Sequence, residues 1–196
     1  MTAPLTIDES KAALRRDAAA RRDALSVEAR QAASEAIAAR KFPLPTSASD
    51  IVSGFMPLKS EINPLPLMQK LARQGTGLAL PRIVGRGQPL SMRAWQFGGP
   101  LDRGQWGIRE PMPEAPEVDP DILLVPLLAF DRAGYRIGYG AGYYDMTIAR
   151  LRSLKKIDAV GIAFAAQEVA DIPRTPRDER LDLVLTERET IDLRMS

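Results

Sequence analysis

The sequence predicts an α/β fold, a single-domain open sheet with helices on both faces that spans residues 1–196. Short apolar runs alternate with helical stretches through the central part of the chain, as in sheets whose strands are joined by helices. A length of 196 residues is enough for one domain with a sizeable core. A glycine-rich segment separates an apolar run from a helical stretch, which predicts a loop between a central strand and a helix.

Two helices are predicted at the N-terminal end. Thr6 and Glu9 have the spacing of a capping box, and the residues that follow at 7–24 are mostly alanine, leucine and arginine, which favour helix. Ser26 has the properties of a second N-cap, so a second helix is predicted over residues 27–41. The prolines that come next end it, because proline cannot continue a helix.

The rest of the chain alternates between predicted strands and helices. A helix is expected at residues 64–74, with Pro64 in its first turn and Gly75 after its end, and another at residues 143–155. Residues 98–120 are rich in glycine, proline and charge, and we interpret them as one long loop. Short apolar runs bounded by turn residues predict strands at 50–55, 77–81, 90–95, 122–130, 159–164 and 181–185.

Composition restricts the chemistry that this chain can perform. It has no cysteine, which excludes disulfides and thiolate nucleophiles, and no histidine, which excludes histidine bases and Ser-His-Asp triads. The remaining groups suit phosphoryl transfer, which depends on positioning and charge neutralisation. A formal net charge of +2, with both signs interleaved, does not indicate a nucleic-acid partner. No apolar run has membrane-spanning length and no signal peptide is recognisable, so we expect a cytoplasmic protein.

The segment 136–145 is the clearest candidate for a functional site. It begins with Arg136, its glycines alternate with larger residues, and it precedes a predicted helix, so backbone N–H groups and a helix N-terminus would surround an anion. Asp145 would place a carboxylate beside that anion, which requires a bridging Mg²⁺. The spacing is neither that of a P-loop nor that of a dinucleotide fingerprint. The alternative is a glycine-rich turn whose tyrosines pack on the core.

Five further residues have both a structural and a functional interpretation. Lys11 and Arg15 are four positions apart and share a helix face, which could be solvated or could face phosphates. Glu61 precedes a predicted helix, where it could cap that helix or accept N–H bonds from a heterocycle. Trp106 could cover a small core or stack on a flat ligand. Asp178 could be a turn residue or a second acidic ligand for a metal.

Six segments occur in a fixed order along nearly the whole chain. They are Lys11-x-x-x-Arg15, Glu61-Ile62, Gly107-Ile108-Arg109-Glu110-Pro111, Val125-Pro126-x-x-Ala129-Phe130-Asp131, Arg136-x-Gly138-x-Gly140-x-Gly142-Tyr143-Tyr144-Asp145, and Asp178 before a closing apolar strand. Together they resemble the 5-formyltetrahydrofolate cyclo-ligase (methenyltetrahydrofolate synthetase) family. The glycine–tyrosine–aspartate segment is the most specific part of this resemblance.

The resemblance implies a ligase that uses ATP and Mg²⁺ to convert 5-formyltetrahydrofolate to 5,10-methenyltetrahydrofolate, with release of ADP and phosphate. It implies no catalytic side chain, because the substrate supplies the nucleophile. The ATP-binding residues that it implies are Lys11, Arg15, Arg136, Ile137, Gly138, Tyr139, Gly140, Ala141, Gly142, Tyr143 and Tyr144. The implied folate-binding residues are Met56, Glu61, Trp106, Tyr143 and Tyr144, and the implied metal ligands are Asp145 and Asp178.

Two other functions stay open at this point. One is non-catalytic binding of a nucleotide or folate on the same scaffold, and the other is nucleic-acid binding through the basic first helix. The expected partners are ATP and 5-formyltetrahydrofolate, without nucleic acid or membrane, and the chain is expected to act as a monomer. Ala141 interrupts the glycines of the loop, which matters if the φ angle there must be positive.

Overall fold

The computed structural model describes residues 6–194, without the side chain of Trp106. The helices in this part of the chain are α1 (Ile7–Asp23), α2 (Val27–Ala39), α3 (Leu65–Arg73) and α4 (Tyr143–Leu154). The strands are β1 (Ile51–Ser53), β2 (Gly77–Arg82), β3 (Ser91–Ala94), β4 (Leu101–Arg103), β5 (Arg109–Pro111), β6 (Ile122–Pro126), β7 (Ala129–Phe130), β8 (Arg136–Ile137), β9 (Asp158–Ile162), β10 (Leu183–Leu185) and β11 (Thr190–Asp192).

The centre of the fold is a seven-stranded sheet with the strand order β11-β10-β9-β6-β1-β2-β3. The five inner strands, from β10 to β2, run parallel, whereas the edge strands β3 and β11 are antiparallel to their neighbours. Inner strands of this kind are nearly continuous apolar runs, because both of their faces are buried. None of the helices within residues 6–194 is long and apolar enough to cross a membrane.

Successive residues of β6 show how both faces of the sheet are covered. Leu124 belongs to a buried cluster that contains Leu67 and Leu71 of α3. Leu123 belongs to a second cluster, with Ile148 and Leu151 of α4. Neighbouring side chains of a strand point to opposite faces, so α3 and α4 lie on opposite sides of the sheet. The predicted α/β sheet with helices on both faces is therefore confirmed.

The predicted starts of the first two helices are also confirmed. Oγ1 of Thr6 accepts a hydrogen bond from the N–H of Glu9 at 3.3 Å, and the Glu9 carboxylate accepts one from the N–H of Thr6 at 2.8 Å, which completes the capping box. Oγ of Ser26 accepts a hydrogen bond from the N–H of Ala29 at 3.1 Å. These caps depend only on nearby residues, so the sequence pattern was sufficient to place them.

Helix α1 packs on the β7–β8 hairpin rather than on the main sheet. Its buried Ala18 contacts a small apolar cluster that includes Leu128, Ala129 and Ile137. Residues 11 and 15 lie on the same helix face as Ala18, because they precede it by seven and three positions. The packing of this face therefore turns Lys11 and Arg15 towards the segment that follows β8.

The prediction of one long loop over residues 98–120 is wrong. Strands β4 and β5 pair as an antiparallel hairpin, and a 3₁₀ turn at Gln105–Gly107 joins them. Each strand has three residues, which is too short for an alternating pattern to emerge from the sequence. The hairpin is nevertheless ordered against the body of the protein, because Arg82 donates from Nη1 to the carbonyl of Pro111 at 2.8 Å.

The prediction of a single strand over residues 122–130 is also wrong. Strand β6 ends at Pro126, and Nε2 of Gln167 then donates to the carbonyls of Leu127 and Leu128 at 2.7 and 3.0 Å, in place of a neighbouring strand. The chain leaves the sheet there, and β7 pairs with β8. The glycine-rich loop therefore follows a hairpin strand instead of a central strand. A further strand, β11, also follows the predicted last strand.

We expect the substitution Asp131→Ala to lower the free energy of unfolding by about 2–4 kcal/mol. Asp131 is buried and accepts hydrogen bonds from the N–H groups of Ala133, Tyr135 and Ile172 at 3.0, 2.9 and 3.0 Å, and alanine would leave all three unsatisfied. Urea unfolding measures the loss. The exposed Asp171 provides the control, since Asp171→Ala should change stability by less than about 0.5 kcal/mol. Equal losses in the two variants would contradict the prediction.

Candidate functional site

A cavity of about 950 Å³ opens at the carboxyl ends of the inner parallel strands. Phe55 just beyond β1, Ile83 just beyond β2 and Pro126 at the end of β6 contribute to its lining. Ligands of open α/β sheets bind at this edge, because the loops that leave the strands converge there. The volume lies at the upper end of the range usual for small-molecule sites.

The structure brings the predicted site residues together around this cavity. Its lining includes Lys11, Arg15, Met56, Glu61, Arg136, Ile137, Gly138, Tyr139, Gly140, Ala141, Gly142, Tyr143, Tyr144, Asp145 and Asp178. The remaining candidate, Trp106, belongs to the 3₁₀ turn of the β4–β5 hairpin, and its side chain lies outside the described residues. Ile108, Arg109 and Glu110 of the same hairpin line the cavity.

Two positions of the loop between β8 and α4 require glycine. Gly140 has a φ angle of +99° and Gly142 one of +71°, a region that residues with a Cβ atom rarely adopt. Gly142 is the N-cap of α4, so the loop brings the N-terminus of this helix to the cavity. Ala141 does not have a positive φ angle, so its side chain causes no backbone strain.

Arg15 supports this loop from the side of α1. Its Nε donates to the carbonyl of Gly138 at 3.0 Å, and a Cβ atom added to Gly140 would lie 3.3 Å from Cζ of Arg15. The Nη groups of Arg15 make no hydrogen bond to any residue in the described part of the chain. They can therefore donate to an anion that lies in the loop, in the fork geometry that suits phosphate oxygens.

Lys11 is already paired in this structure. Its Nζ lies 2.8 Å from Oδ1 and 2.6 Å from Oδ2 of Asp178, which also accepts hydrogen bonds from the N–H and hydroxyl of Thr175. Burial raises the pKa of the Asp178 carboxyl, but the hydrogen bonds from Lys11 and Thr175 outweigh it and hold the pKa below its ordinary value. The carboxylate is therefore ionised at neutral pH, and it compensates the charge of the nearly buried Lys11.

Asp145 is held by the first residue of the loop segment. Nη2 of Arg136 donates to Oδ1 of Asp145 at 2.8 Å, and the N–H of Glu179 donates to the same oxygen at 3.1 Å. Nη1 of Arg136 is bound to the carbonyl of Glu179 at 2.6 Å. Arg136 is thus fixed by two partners, and its charge compensates that of Asp145 at the start of α4.

The two predicted metal ligands differ in how well they fit Mg²⁺. Mg²⁺ is usually bound by one or two carboxylates together with phosphate oxygens and water. Oδ2 of Asp145 has no hydrogen-bond partner within residues 6–194, so this oxygen is available, whereas both oxygens of Asp178 are engaged by Lys11. No group of three or more metal-ligating side chains lies together in that part of the chain. Asp145 is therefore the better candidate.

Glu61 supplies a carboxylate at another part of the cavity wall. Its Oε2 accepts a hydrogen bond from the N–H of Leu58 at 2.7 Å, whereas α3 has no side-chain cap, so Glu61 closes a turn rather than capping that helix. Burial raises the pKa of Glu61, and the hydrogen bond from Leu58 and the charge of Arg22 only partly offset the rise. Such a group gains from a ligand that donates hydrogen bonds to it.

Two tyrosines of the loop segment lie close to Glu61. The hydroxyl of Tyr139 lies near the carboxylate and tends to lower the pKa of Glu61. Burial, followed by the nearby charge of Glu61, raises the pKa of Tyr144, so its hydroxyl remains protonated at neutral pH. The glycine-rich loop therefore extends from the anion-binding groups to the carboxylate of Glu61.

The sequence analysis missed two charged residues near this cavity. Arg22 of α1 is 2% exposed, and its Nη2 donates to the hydroxyl of Tyr139 at 2.9 Å. It lies on the same helix face as Lys11 and Arg15, seven positions after Arg15, and this repeat was the available signal. Glu110 is also 2% exposed and accepts a hydrogen bond from the N–H of Ile83 at 3.2 Å.

Comparison with known proteins gives a consistent result. The model of the 5-formyltetrahydrofolate cyclo-ligase family matches residues 7–187. The 5-formyltetrahydrofolate cyclo-ligase of Mycolicibacterium smegmatis is 33% identical over 148 residues, which cover 71% of this chain and 75% of the relative. The enzyme of the same name from Escherichia coli strain K12 is 31% identical over 173 residues, which cover 85% of this chain and 94% of the relative.

A solved structure agrees with these relatives. The 5,10-methenyltetrahydrofolate synthetase of Aquifex aeolicus superposes with a TM-score of 0.77 at 33% identity, and the match covers 94% of this chain and 93% of the other. The synthetase of Mycoplasma pneumoniae, with a TM-score of 0.70 at 22% identity, has the same fold. With the family match over residues 7–187, these similarities show that the chain is a ligase that belongs to the 5-formyltetrahydrofolate cyclo-ligase family.

Proposed function

We propose that this protein uses ATP and Mg²⁺ to convert 5-formyltetrahydrofolate to 5,10-methenyltetrahydrofolate, ADP and phosphate, with residues 1–196 acting as one domain and as a monomer. One observation carries the proposal. A single cavity is lined at one part by the glycine-rich loop with its basic residues, and at another by the half-buried carboxylate of Glu61. These two parts match a polyphosphate and a flat heterocycle rich in N–H donors.

The phosphate end of the proposed site consists of backbone and cations. The N–H groups at the start of α4 and the free Nη groups of Arg15 would bind the phosphates of ATP. Lys11 and Arg136 add positive charge, although each is held by a carboxylate. Asp145 would hold Mg²⁺ through Oδ2, and Mg²⁺, when bound, neutralises phosphate charge.

The folate end consists of a carboxylate with apolar and aromatic neighbours. Glu61 would accept hydrogen bonds from the pterin ring, and Met56, Tyr143 and Tyr144 line the same cavity. The β4–β5 hairpin, which carries Trp106 and lines the cavity, would close this end. An apolar surrounding strengthens the bonds to Glu61, because water competes less for the carboxylate.

In the proposed reaction the formyl oxygen of the substrate attacks the γ-phosphorus of ATP, and ADP leaves. N10 of the folate then attacks the formyl carbon and loses its proton, and the bond from that carbon to the phosphorylated oxygen breaks with release of phosphate. The protein holds the two ligands in line and compensates their charge. No side-chain nucleophile is needed, which suits a chain without histidine or cysteine.

The test is the absorbance of the methenyl product after the protein is mixed with ATP, Mg²⁺ and 5-formyltetrahydrofolate. We expect absorbance to rise with all three present and to stay flat when ATP is omitted or Mg²⁺ is chelated. Binding of both ligands without product would support the non-catalytic alternative. Salt-sensitive binding of RNA or DNA without any binding of folate would support the nucleic-acid alternative.

We expect Gly140→Ala to weaken ATP binding about tenfold. An alanine at the φ angle of +99° costs about 1–2 kcal/mol, and its Cβ would press on the guanidinium of Arg15. In the free variant the loop relieves this strain by adopting another conformation. ATP binding must then restore the strained conformation, and this free-energy cost lowers the affinity. Calorimetric titration measures the affinity. Gly98 has a φ angle of +83° outside the cavity, so Gly98→Ala controls for strain alone and should leave ATP affinity unchanged.

A further inference from the structure

Arg22 is a buried cation without a direct ion pair. It is 2% exposed, and no carboxylate oxygen lies within salt-bridge distance of it among the described residues. Its Nε donates to Oγ of Ser60 at 3.0 Å and its Nη2 donates to the hydroxyl of Tyr139 at 2.9 Å, whereas its buried Nη1 has no partner in the described part of the chain. A buried charge in this state is expensive, so nearby negative groups must compensate it.

Two carboxylates compensate the charge of Arg22, and each of them lies beside one of the two hydroxyls that Arg22 contacts. The Ser60 hydroxyl donates to Oδ1 of Asp23, and the Tyr139 hydroxyl lies near the carboxylate of Glu61, the residue next to Ser60 in the chain. Arg22 also acts on Glu61 through space, since its charge favours the ionised carboxylate. One guanidinium therefore contacts both the turn that carries Glu61 and the glycine-rich loop that carries Tyr139.

We propose that Arg22 is a positioning residue that holds Glu61 and the glycine-rich loop in one arrangement, so that the folate end and the phosphate end of the cavity are set together. This inference rests on the proposed function. Arg22 does not line the cavity, so it acts through Tyr139 and Ser60. The planar fork of arginine suits this role, because its Nε and Nη2 donate in two fixed directions at once.

The charge of Arg22 adds a specific consequence for pH dependence. The groups that face Glu61 are Arg22 from α1, Tyr139 from the loop, Tyr144 from α4 and the N–H of Leu58. Among these only Arg22 is positively charged. Removing it raises the pKa of Glu61 further, so the ionised carboxylate is lost at a higher pH than in the wild type.

The experiment measures the affinity for 5-formyltetrahydrofolate from pH 5 to pH 9 by calorimetry, together with thermal stability. We expect Arg22→Gln to weaken folate binding about tenfold near pH 7 and to move the pH at half-maximal affinity upward by on the order of one unit. Arg22→Lys keeps the charge but has all of its donors on one nitrogen instead of a planar fork, so it should keep the wild-type pH midpoint with intermediate affinity. The neighbouring Arg21 is exposed, and Arg21→Gln should match the wild type.

Tyr139→Phe provides a second route if Arg22→Gln does not fold. Tyr139 is 51% exposed and outside the apolar core, so loss of its hydroxyl leaves the core intact and should still weaken folate binding several-fold. In the double variant Arg22→Lys/Tyr139→Phe, the combined loss of folate affinity should be smaller than the sum of the two single losses. Both substitutions act on the same hydrogen bond, from residue 22 to the Tyr139 hydroxyl. Additive losses, or a fall in melting temperature with unchanged folate affinity and pH midpoint, would overturn the inference. A wild type that binds no folate would overturn the proposed function as well.

Discussion

We expect Asp145→Asn to reduce turnover about a hundredfold or more. Asparagine keeps an oxygen that can accept from Arg136 and from the N–H of Glu179, so the local hydrogen bonds survive. In that orientation an uncharged amide NH₂ group replaces the oxygen that is free to bind Mg²⁺, and this group cannot coordinate a hard cation. The activity of the variant should therefore also require more Mg²⁺ for half-saturation.

The ion pair with Arg136 makes a stability effect part of this prediction. The Arg136 side chain is 4% exposed and loses its charged partner, so the variant should be less stable by about 1–3 kcal/mol while remaining folded. Asp119→Asn is a matched control, because it breaks an Arg–Asp pair with Arg150 of the same helix α4 outside the cavity. If the turnover of Asp145→Asn fell no further than that of Asp119→Asn, Asp145 would be a structural partner of Arg136 only.

The helices of this protein could be predicted from the sequence because their signals are local. Capping residues, alanine-rich stretches and terminal glycines act within a few positions of the helix ends. The missed strands β4, β5, β7, β8 and β11 have two or three residues each, so no periodic pattern exists to detect. They form because of partners outside their own segment: β7, for example, pairs with β8, and Gln167 binds the two carbonyls that precede it.

The candidate site could be predicted as a set of residues but not as a network. The residues that the family resemblance indicates, apart from Trp106, do line one cavity. The pairing of Lys11 with Asp178 joins positions 167 apart, and no local pattern specifies it. The sequence interpretation treated Asp178 as a metal ligand and Lys11 as a phosphate ligand, whereas the structure couples them. These ion pairs form only when the chain folds, so they cannot be read from the sequence. They decide which charged groups remain available to bind a ligand.

The pairs Lys11–Asp178 and Arg136–Asp145 explain how two buried cations at the proposed phosphate end are stabilised before a ligand binds. Lys11 and Arg136 are nearly buried, and each would be costly without a counter-charge. Asp178 and Asp145 supply that charge, and the Nη groups of Arg15 stay available beside the glycine-rich loop. A polyphosphate would first meet Arg15 and the helix N-terminus, and Mg²⁺ at Asp145 would offset the repulsion between that carboxylate and the phosphates.

We expect Glu61→Gln to weaken binding of 5-formyltetrahydrofolate about tenfold or more and to leave the Michaelis constant for ATP close to that of the wild type. The charge-assisted bonds lost between the carboxylate and the pterin N–H groups should cost roughly 1.5–3 kcal/mol. Glutamine keeps an oxygen for the N–H of Leu58, so the turn that positions it should survive. The loss is therefore specific to the ligand.

Stability should not fall with affinity in this variant. The pKa of Glu61 in the folded protein is raised, chiefly by burial, so the folded state binds more protons than the unfolded state between the ordinary and the raised pKa. The stability that Glu61 contributes therefore decreases as pH rises from its ordinary pKa to its raised pKa. Above the raised pKa, the ionised carboxylate lowers the free energy of unfolding. Glutamine removes this cost, so the melting temperature at neutral pH should equal or exceed that of the wild type.

Calorimetric titration of 5-formyltetrahydrofolate and of ATP, with a thermal melt of each protein, tests both parts of the Glu61 prediction. Glu35 of α2 is exposed and bonded only to Gln31 in the described structure, so Glu35→Gln should match the wild type in every measurement. A ligand whose recognition depends on the ionised carboxylate must also lose wild-type affinity as pH falls through the raised pKa of Glu61, and Glu61→Gln must abolish that dependence. Equal folate affinities for wild type and Glu61→Gln would return Glu61 to a turn-closing role and leave the pterin without a protein partner.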